Sequence, residues 1–140
     1  MTSVHPVTIY YEDTDLSGMV YHANYIKYFE RAREELLGAP ELARVWREQG
    51  IGFAVYKLNT VFRAPARHGD QIEVHTRVEV ESPWRSIFHQ TCLRPSDGTT
   101  LVEGRVELVC IDHDGKLVQT PPSLVHKLSI SPPITDGATP

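Results

Sequence analysis

The sequence predicts a single α+β domain in which one long helix packs against an antiparallel sheet of five strands. A chain of 140 residues has the length of one domain, and 41% hydrophobic residues are enough for one continuous core. Apolar residues recur every three or four positions over 22–37, which is the period of a helix. From residue 52 onward the period falls to two, which is the period of a strand.

The individual elements follow from these two periods in chain order. Gly38 and Pro40 end the long helix, because glycine follows a helix end and proline cannot continue the helix. The SDG turn at 96–98 joins the last two strands as a hairpin. The predicted elements are a strand at 4–12, a turn at 13–19, the helix at 22–37, a short helix at about 41–48, and strands at 53–64, 70–82, about 85–95 and about 99–112.

Alternation within the strands predicts which side chains share a face. The strand at 4–12 should place Val7, Ile9 and Tyr11 together. The strand at 70–82 alternates most regularly, with Ile72, Val74, Val78 and Val80 on its apolar face. One face of the strand at 53–64 should collect Ala54, Tyr56, Leu58, Thr60, Phe62 and Ala64.

One helix cannot cover both faces of a five-stranded sheet. The uncovered face and the two edge strands therefore need another surface, and a homodimer is the simplest way to supply one. The chain end from Pro121 is rich in proline and is expected to fray after Lys127. We therefore predict a folded domain at 1–128 and a flexible tail at 129–140.

Composition excludes several classes of protein. A net charge of −4 argues against a nucleic-acid binder, since such proteins neutralise phosphates. The sequence has neither an apolar run long enough to insert into a membrane nor a signal-peptide pattern, so the expected location is the cytoplasm. Cys92 and Cys110 are expected to be buried free thiols. The histidines form no HxxxH or HxH pair, so no metal ion is expected.

The segment most informative about chemistry is YEDTDLSGMVYHANY, at residues 11–25. It places Asp15 in a loop, then Gly18, then the first turn of the long helix. A helix N-terminus has unpaired N–H groups that can bind a carbonyl oxygen as negative charge develops on it. Gly18 permits positive φ or a close approach of the backbone. A carboxylate beside such donors is a minimal site for acyl transfer to water.

Other acidic residues in this region are predicted to be structural. Asp13 lies two positions before Asp15, and we interpret it as a cap or turn residue. Glu30 lies about two helical turns beyond His22, and we expect it to pair with Arg33 on an exposed or interfacial face.

Residues 11–35, YEDTDLSGMVYHANYIKYFERAREE, resemble the signature of the 4-hydroxybenzoyl-CoA thioesterase family, the hotdog-fold acyl-CoA thioesterases. Within that family the resemblance is closest to the Tol–Pal-associated acyl-CoA thioesterases. It continues through FRAPARHGDQIEV at 62–74, the hairpin at 82–90 and LVCIDHDGK at 108–116. The resemblance spans about residues 6–128.

The resemblance implies a hotdog fold, in which the sheet wraps around the helix and two protomers form active sites at their interface. It also implies an acyl-CoA substrate and no cofactor, and the dimers of this family often pair again into tetramers. The family's catalytic Asp corresponds to Asp15, as nucleophile or general base, and its oxyanion N–H to His22, with help from Tyr21. Asn24 matches a position that shapes this pocket. Three further residues are expected to touch substrate: Val55 and Tyr56 along the acyl group, and Arg85 at the CoA phosphates.

The residues leave two other functions open. A hotdog hydratase or dehydratase would use a His–Asp or His–Glu pair in the region of the helix, for which only Asp15 and His22 qualify. A non-catalytic acyl-binding or scaffold protein would bind acyl-CoA without turnover, although it would not need an ionised carboxylate beside the thioester. The acyl chain and the choice between dimer and tetramer are left open by the sequence.

Overall fold

The computed structural model describes residues 3–129. One strand, two helices and four consecutive strands follow one another as the periodicity predicts, with a single turn of 3-10 helix at Tyr11–Asp13. The elements are β1 (Ser3–Thr8), α1 (His22–Leu37), α2 (Ala39–Gln49), β2 (Gly52–Phe62), β3 (Gln71–Ser82), β4 (Arg85–Arg94), β5 (Thr99–Ile111), β6 (Leu117–Val118) and α3 (Pro122–Ser129).

The sheet is antiparallel throughout, with the strand order β1-β3-β4-β5-β2 and the two-residue β6 attached to β5. The predicted α+β architecture is confirmed, because α1 packs along one face of this sheet. Two buried clusters join them: one around Tyr28 and Phe29 in the first half of α1, the other around Leu37 near its end. Strands β1 and β2 are the two edges of the sheet.

Helix α1 approaches the sheet most closely at Gly104 of β5. A Cβ atom at this position would lie 2.5 Å from Cε2 of Phe29, closer than side-chain packing permits. Phe29 is fully buried, so its ring has no free space into which to move. The missing side chain at Gly104 is therefore what lets the helix lie on the sheet.

Strand β1 is shorter than predicted. It ends at Thr8, and Tyr11 lies in the 3-10 turn with an exposed side chain, so Tyr11 does not share a face with Val7 and Ile9. The cause is local: the Asp13 carboxylate accepts the N–H of Tyr10 at 2.8 Å and closes the turn.

Strand β2 contains a β-bulge at Tyr56, which corrects the predicted face. The pairing of Val55 with Leu108 is followed by that of Lys57 with Glu107, so Tyr56 is an extra residue. One extra residue reverses the alternation of side chains beyond it. On both sides of the bulge, the β2 residues that face α1 are therefore those that pair with inward-facing residues of β5. They are Phe53, Val55, Leu58, Thr60 and Phe62.

The C-terminal segment is more ordered than the sequence indicated. Instead of fraying after Lys127, the chain forms α3, which extends to Ser129. Leu124 and Leu128 are buried on α3, and this apolar contact stabilises the helix. Residues 130–140, most of the predicted tail, lie outside the described residues. The boundary at 128 therefore stays a prediction.

Two further expectations concern burial and membrane spanning. Cys92 and Cys110 are buried and free, as predicted. Among the helices of residues 3–129, none combines the length and apolar character needed to cross a bilayer.

Candidate active site

The loop that precedes α1 is held by Asp13. Its carboxylate accepts hydrogen bonds from the N–H of Tyr10 at 2.8 Å and from the side-chain amide of Asn24 at 3.0 Å. Its backbone carbonyl accepts the N–H of Tyr21 at 2.9 Å. The interpretation of Asp13 as a structural residue is therefore confirmed. Asn24 also acts here by tying the loop to the first turn of the helix.

Asp15 lies at the start of a tight turn within this loop. Its N–H donates to the Met19 carbonyl at 2.8 Å, and its carbonyl accepts the N–H of Gly18 at 3.0 Å. Gly18 has φ +78°, a conformation that glycine adopts without strain. No other atom lies within 4 Å of where its Cβ would be, so the glycine is required for backbone conformation rather than for close packing.

The Asp15 carboxylate is exposed and remains ionised. The Ser17 hydroxyl donates to its Oδ1 at 2.6 Å, and the Ser17 N–H donates to the same oxygen at 2.9 Å. These two donors stabilise the charged form and hold the pKa of Asp15 below its ordinary value. At neutral pH the site therefore presents a carboxylate, not a carboxylic acid.

Helix α1 begins beside this carboxylate with two unpaired donors. Tyr21 is the extended residue before the helix, and its carbonyl accepts the N–H of Asn24 at 2.8 Å. Within residues 3–129 the N–H groups of His22 and Ala23 donate to no partner. The Tyr21 N–H, by contrast, is already bonded to Asp13, so it is not free to serve as the predicted second donor.

Asp15 and the start of α1 line one cleft of about 340 Å³. The structure thus brings together the two residues on which the sequence prediction depends, Asp15 and His22. Apart from Arg63, which is paired with Glu103, the remaining wall is largely apolar, and this suits the hydrocarbon part of a substrate. Residues that line the cleft include Asp15, Met19, His22, Tyr25, Phe62 and Pro65.

Tyr25 and Phe62 are wall residues that the sequence analysis did not identify. Tyr25 had appeared only as part of the helical period, yet its hydroxyl accepts the N–H of Ala66 at 3.0 Å and anchors the segment after β2. Phe62 is the last residue of β2, and its ring centroid lies 6.1 Å from that of His22. Its proximity depends on the strand pairing of β2, so no local sequence signal reveals it.

The other predicted substrate contacts lie elsewhere in the same chain. Val55 lines a different cavity, and Tyr56 stacks beneath the Arg85 guanidinium, 4.8 Å from ring centroid to Cζ. Arg85 also lies 3.4 Å from the Glu107 carboxylate, which balances part of its charge. Six residues of strand separate Tyr56 from Phe62, a distance of about 20 Å. Within one protomer, these three residues are therefore remote from Asp15.

Glu30 forms the predicted ion pair with Arg33, at 3.7 Å, and its own side chain is exposed. Within residues 3–129 no group of three or more His, Cys, Asp or Glu side chains is arranged to hold a metal ion.

Comparison with known proteins relates this geometry to a family. Residues 10–128 match the thioesterase-like superfamily. The chain is 36% identical over 108 residues to the acyl-CoA thioester hydrolase YbgC of Escherichia coli, covering 76% of this chain and 80% of that protein. It is 35% identical over 109 residues to the acyl-CoA thioesterase YbgC of Haemophilus influenzae, covering 76% of this chain and 79% of that protein.

Solved structures give the same fold. The DHNA-CoA thioesterase of Staphylococcus aureus superposes with a TM-score of 0.81 at 28% identity, over 91% of this chain and 89% of that chain. The 1,4-dihydroxy-2-naphthoyl-CoA thioesterase of Synechocystis superposes with a TM-score of 0.85, over 93% and 97% of the two chains. Its identity is 20%, so that second likeness concerns the fold alone.

Proposed function

This chain belongs to the thioesterase-like superfamily, and on that premise we propose that it hydrolyses acyl-CoA thioesters with the Asp15 carboxylate and the N-terminal N–H groups of α1. One observation carries this proposal: the ionised Asp15 carboxylate lines the same cleft as His22, whose backbone N–H donates to no partner within residues 3–129. Its products are a carboxylic acid and free CoA. We place it with the Tol–Pal-associated thioesterases, to which the helix-entry segment is similar.

The chemistry needs no cofactor, since a thioester is already activated towards attack. A water oxygen adds to the carbonyl carbon while the water proton passes to Asp15 as general base; alternatively, the carboxylate itself attacks and water hydrolyses the resulting anhydride. The negative charge that develops on the carbonyl oxygen is held by the N–H of His22, with that of Ala23 as the second donor. Collapse of this intermediate breaks the C–S bond, and the CoA thiolate leaves and takes up a proton.

Helix N–H donors suit this step because they are already oriented before the charge appears. One preorganised oxyanion donor stabilises the transition state by about 3 kcal/mol. The partial positive charge at the start of α1 acts in the same direction. The hydrogen bonds that Tyr21 and Asn24 donate to Asp13 fix the first turn of α1, and with it the helix N–H groups, next to the loop that carries Asp15.

We also propose that the active form is a homodimer joined through β2. This edge strand has unpaired backbone groups on one side and exposes Val55, Leu58, Val61 and Phe62. Antiparallel pairing of β2 with its copy would bring the first half of one strand beside the last half of the other. Val55, Tyr56 and the stacked Arg85 of one protomer would then flank the other protomer's cleft, where the acyl group and CoA bind. Two such dimers could pair again into a tetramer.

The test is thiol release from a panel of acyl-CoAs by the wild-type protein and by Asp15→Asn. The substitution keeps an oxygen that can accept the Ser17 bonds but removes the charge, so we expect kcat to fall by about 10²–10⁴. The matched control is Glu12→Gln, which removes a carboxylate from the same exposed loop and should keep the wild-type rate. A folded Asp15→Asn protein with full activity would remove Asp15 from the mechanism.

A further inference from the structure

A second cavity of about 300 Å³, which we call the Arg33 pocket, lies between α1, α2, α3 and the start of β2. At roughly 30 Å³ for each water-sized group, it has room for about ten such groups. Three charged residues of α1, Glu30, Arg33 and Glu34, contribute to its lining. Its apolar wall is formed by Leu37, Leu42, Phe53, Val55, Leu108 and Leu124.

Arg33 is the unusual member of this lining. Its side chain is only 7% exposed, and a buried guanidinium carries five N–H donors that all need acceptors. Among residues 3–129 it makes one hydrogen bond, to Oε1 of Gln90 at 3.0 Å. The Glu30 carboxylate lies 3.7 Å away, beyond hydrogen-bond distance. Further N–H groups of Arg33 are therefore available to an occupant of the pocket.

The surrounding charges restrict what that occupant can be. Glu30 and Glu34 are exposed, so two carboxylates stand beside the single buried cation. An anionic group would be repelled by both carboxylates, whereas a neutral oxygen can accept a hydrogen bond from Arg33 without that penalty. The apolar wall requires the rest of the occupant to be hydrocarbon. The chemistry of the pocket thus fits a neutral hydroxyl or keto oxygen carried on an apolar chain.

The proposed dimer places this pocket next to a thioester site. In one protomer His22 and Arg33 are eleven residues apart on α1, or about 16 Å. The pocket, however, opens beside Gly52, Phe53 and Val55, at the beginning of the edge strand β2. If β2 pairs with its copy over its whole length, Gly52 lies opposite the Phe62 of the second copy. The Arg33 pocket of one protomer then adjoins the Asp15 cleft of the other.

We propose that the Arg33 pocket receives the distal end of the acyl group whose thioester is bound in the other protomer's Asp15 cleft, and that it selects acyl groups with a neutral terminal oxygen. This inference depends on the proposed thioesterase function and on the β2-paired dimer. It assigns Arg33 a role in substrate specificity, separate from the bond-breaking step at Asp15.

The experiment compares matched acyl-CoAs of 6 to 12 carbons with a terminal methyl, hydroxyl or carboxylate group. For at least one chain length we expect kcat/KM to be about tenfold higher for the hydroxyl than for the methyl compound, and lowest for the carboxylate. Arg33→Met should reduce the hydroxyl-to-methyl ratio to about one. The control Arg31→Met, which removes an exposed arginine from the same helix, should keep the tenfold ratio. A purely structural arginine would not change this ratio.

A second variant covers the case in which Arg33→Met does not fold. Leu42→Trp fills the pocket from α2 and leaves Arg33 in place, so it should shift the preferred chain towards shorter acyl groups. Equal rates for hydroxyl and methyl substrates at every length, or an unchanged chain-length profile in Leu42→Trp, would refute the inference. If these results occur while Asp15→Asn still abolishes hydrolysis, only the assignment of the Arg33 pocket fails. If the wild-type protein hydrolyses no acyl-CoA, both proposals fail.

Discussion

Asp15 owes its ionised state to neutral hydrogen-bond donors rather than to a neighbouring cation. The Ser17 hydroxyl is the largest cause of its lowered pKa, followed by the Ser17 N–H. This arrangement leaves the negative charge uncompensated, and it can therefore orient a water or attack a carbonyl. Because the folded-state pKa is depressed, the group adds stability above its unfolded pKa, and this is lost as the pH falls through the folded value. The carboxylate is exposed, so that contribution is small.

Ser17→Ala should raise the pKa of Asp15 towards its ordinary value, since the strongest donor is removed. The acid limb of kcat/KM should then move to higher pH, because the carboxylate becomes protonated earlier as the pH falls. The pKa can be measured by NMR titration of the Asp15 carboxyl carbon in both proteins. Ser82→Ala, in the distant hairpin between β3 and β4, is the control. An unchanged or lower pKa in Ser17→Ala would contradict this account.

At the residue scale, the sequence predicted what depends on local chain geometry. The turn at Asp15 and Gly18 and the bond from the Tyr10 N–H to Asp13 lie within a few positions of the chain, so they could be inferred from turn and cap chemistry. The bond from the Tyr21 N–H to Asp13 spans eight positions and depends on how the loop returns to the helix start. Sequence patterns carry no such information, so they did not reveal that the Tyr21 N–H, predicted as the second oxyanion donor, already has a partner.

At the scale of elements, the contact between α1 and β5 sets how closely the helix can approach the sheet. The Phe29 ring packs directly against the backbone of Gly104. Glycine in the middle of a strand otherwise weakens the strand. Periodicity predicted both elements but not this contact. A glycine within an alternating strand does not reveal which side chain from another element will lie upon it.

Gly104→Ala should destabilise the protein by about 1–3 kcal/mol, because the new methyl group overlaps a fully buried ring. Urea unfolding followed by circular dichroism measures this change. Adding Phe29→Leu should recover part of the loss, as the smaller side chain leaves room for the methyl group. If the two substitutions are simply additive, the contact is not the cause. Gly52→Ala is the comparison, because Gly52 also lies in a strand without positive φ and its added methyl group would meet only an ordinary contact, 3.8 Å from the Trp46 ring.

The elements that the sequence misassigned have identifiable causes. The Asp13 cap ends β1 early, and a bulge reverses part of β2. The burial of Leu124 and Leu128 stabilises a helix that continues to Ser129, beyond Lys127, where fraying was predicted. Each depends on a hydrogen bond or a packing contact that hydrophobic periodicity does not encode. The long helix and the central strands were predictable because their patterns are long and regular.

At the scale of the whole molecule, the proposed dimer depends on β2 being an edge strand of the sheet. An edge strand that is both apolar and exposed is uncommon in a monomeric protein, because its unpaired backbone groups can pair with a strand of another chain. The sequence predicted the need for a partner from the ratio of helices to strands. Which strand would be the exposed edge emerged only from the order β1-β3-β4-β5-β2.

Leu58→Lys should convert the proposed dimer to a monomer, because the charge would be buried at the centre of the β2–β2 contact. Sedimentation should show the wild-type protein at twice the chain mass of 15.8 kDa, or a multiple of that, and the variant at the single mass. The rate of hydrolysis should fall when the dimer is lost, because each active site of the proposed dimer uses residues of both copies. Leu117→Lys changes an equally apolar, exposed residue on β6 and should stay dimeric and active. A monomeric wild-type protein would disprove the β2 contact.

The extra residue in β2 also determines how the fold would respond to the loss of one residue from this strand. Val55 and Phe62 are seven positions apart, an odd number, and in an unbroken pleat they would point to opposite sides of the sheet. Only the irregularity at Tyr56 turns both towards the helix. Deleting that tyrosine would leave Val55 and Phe62 six positions apart, an even number, so a regular pleat would still direct both side chains towards the helix. A relative that lacks this one residue should therefore keep both side chains in place and lose only the ring that lies against Arg85.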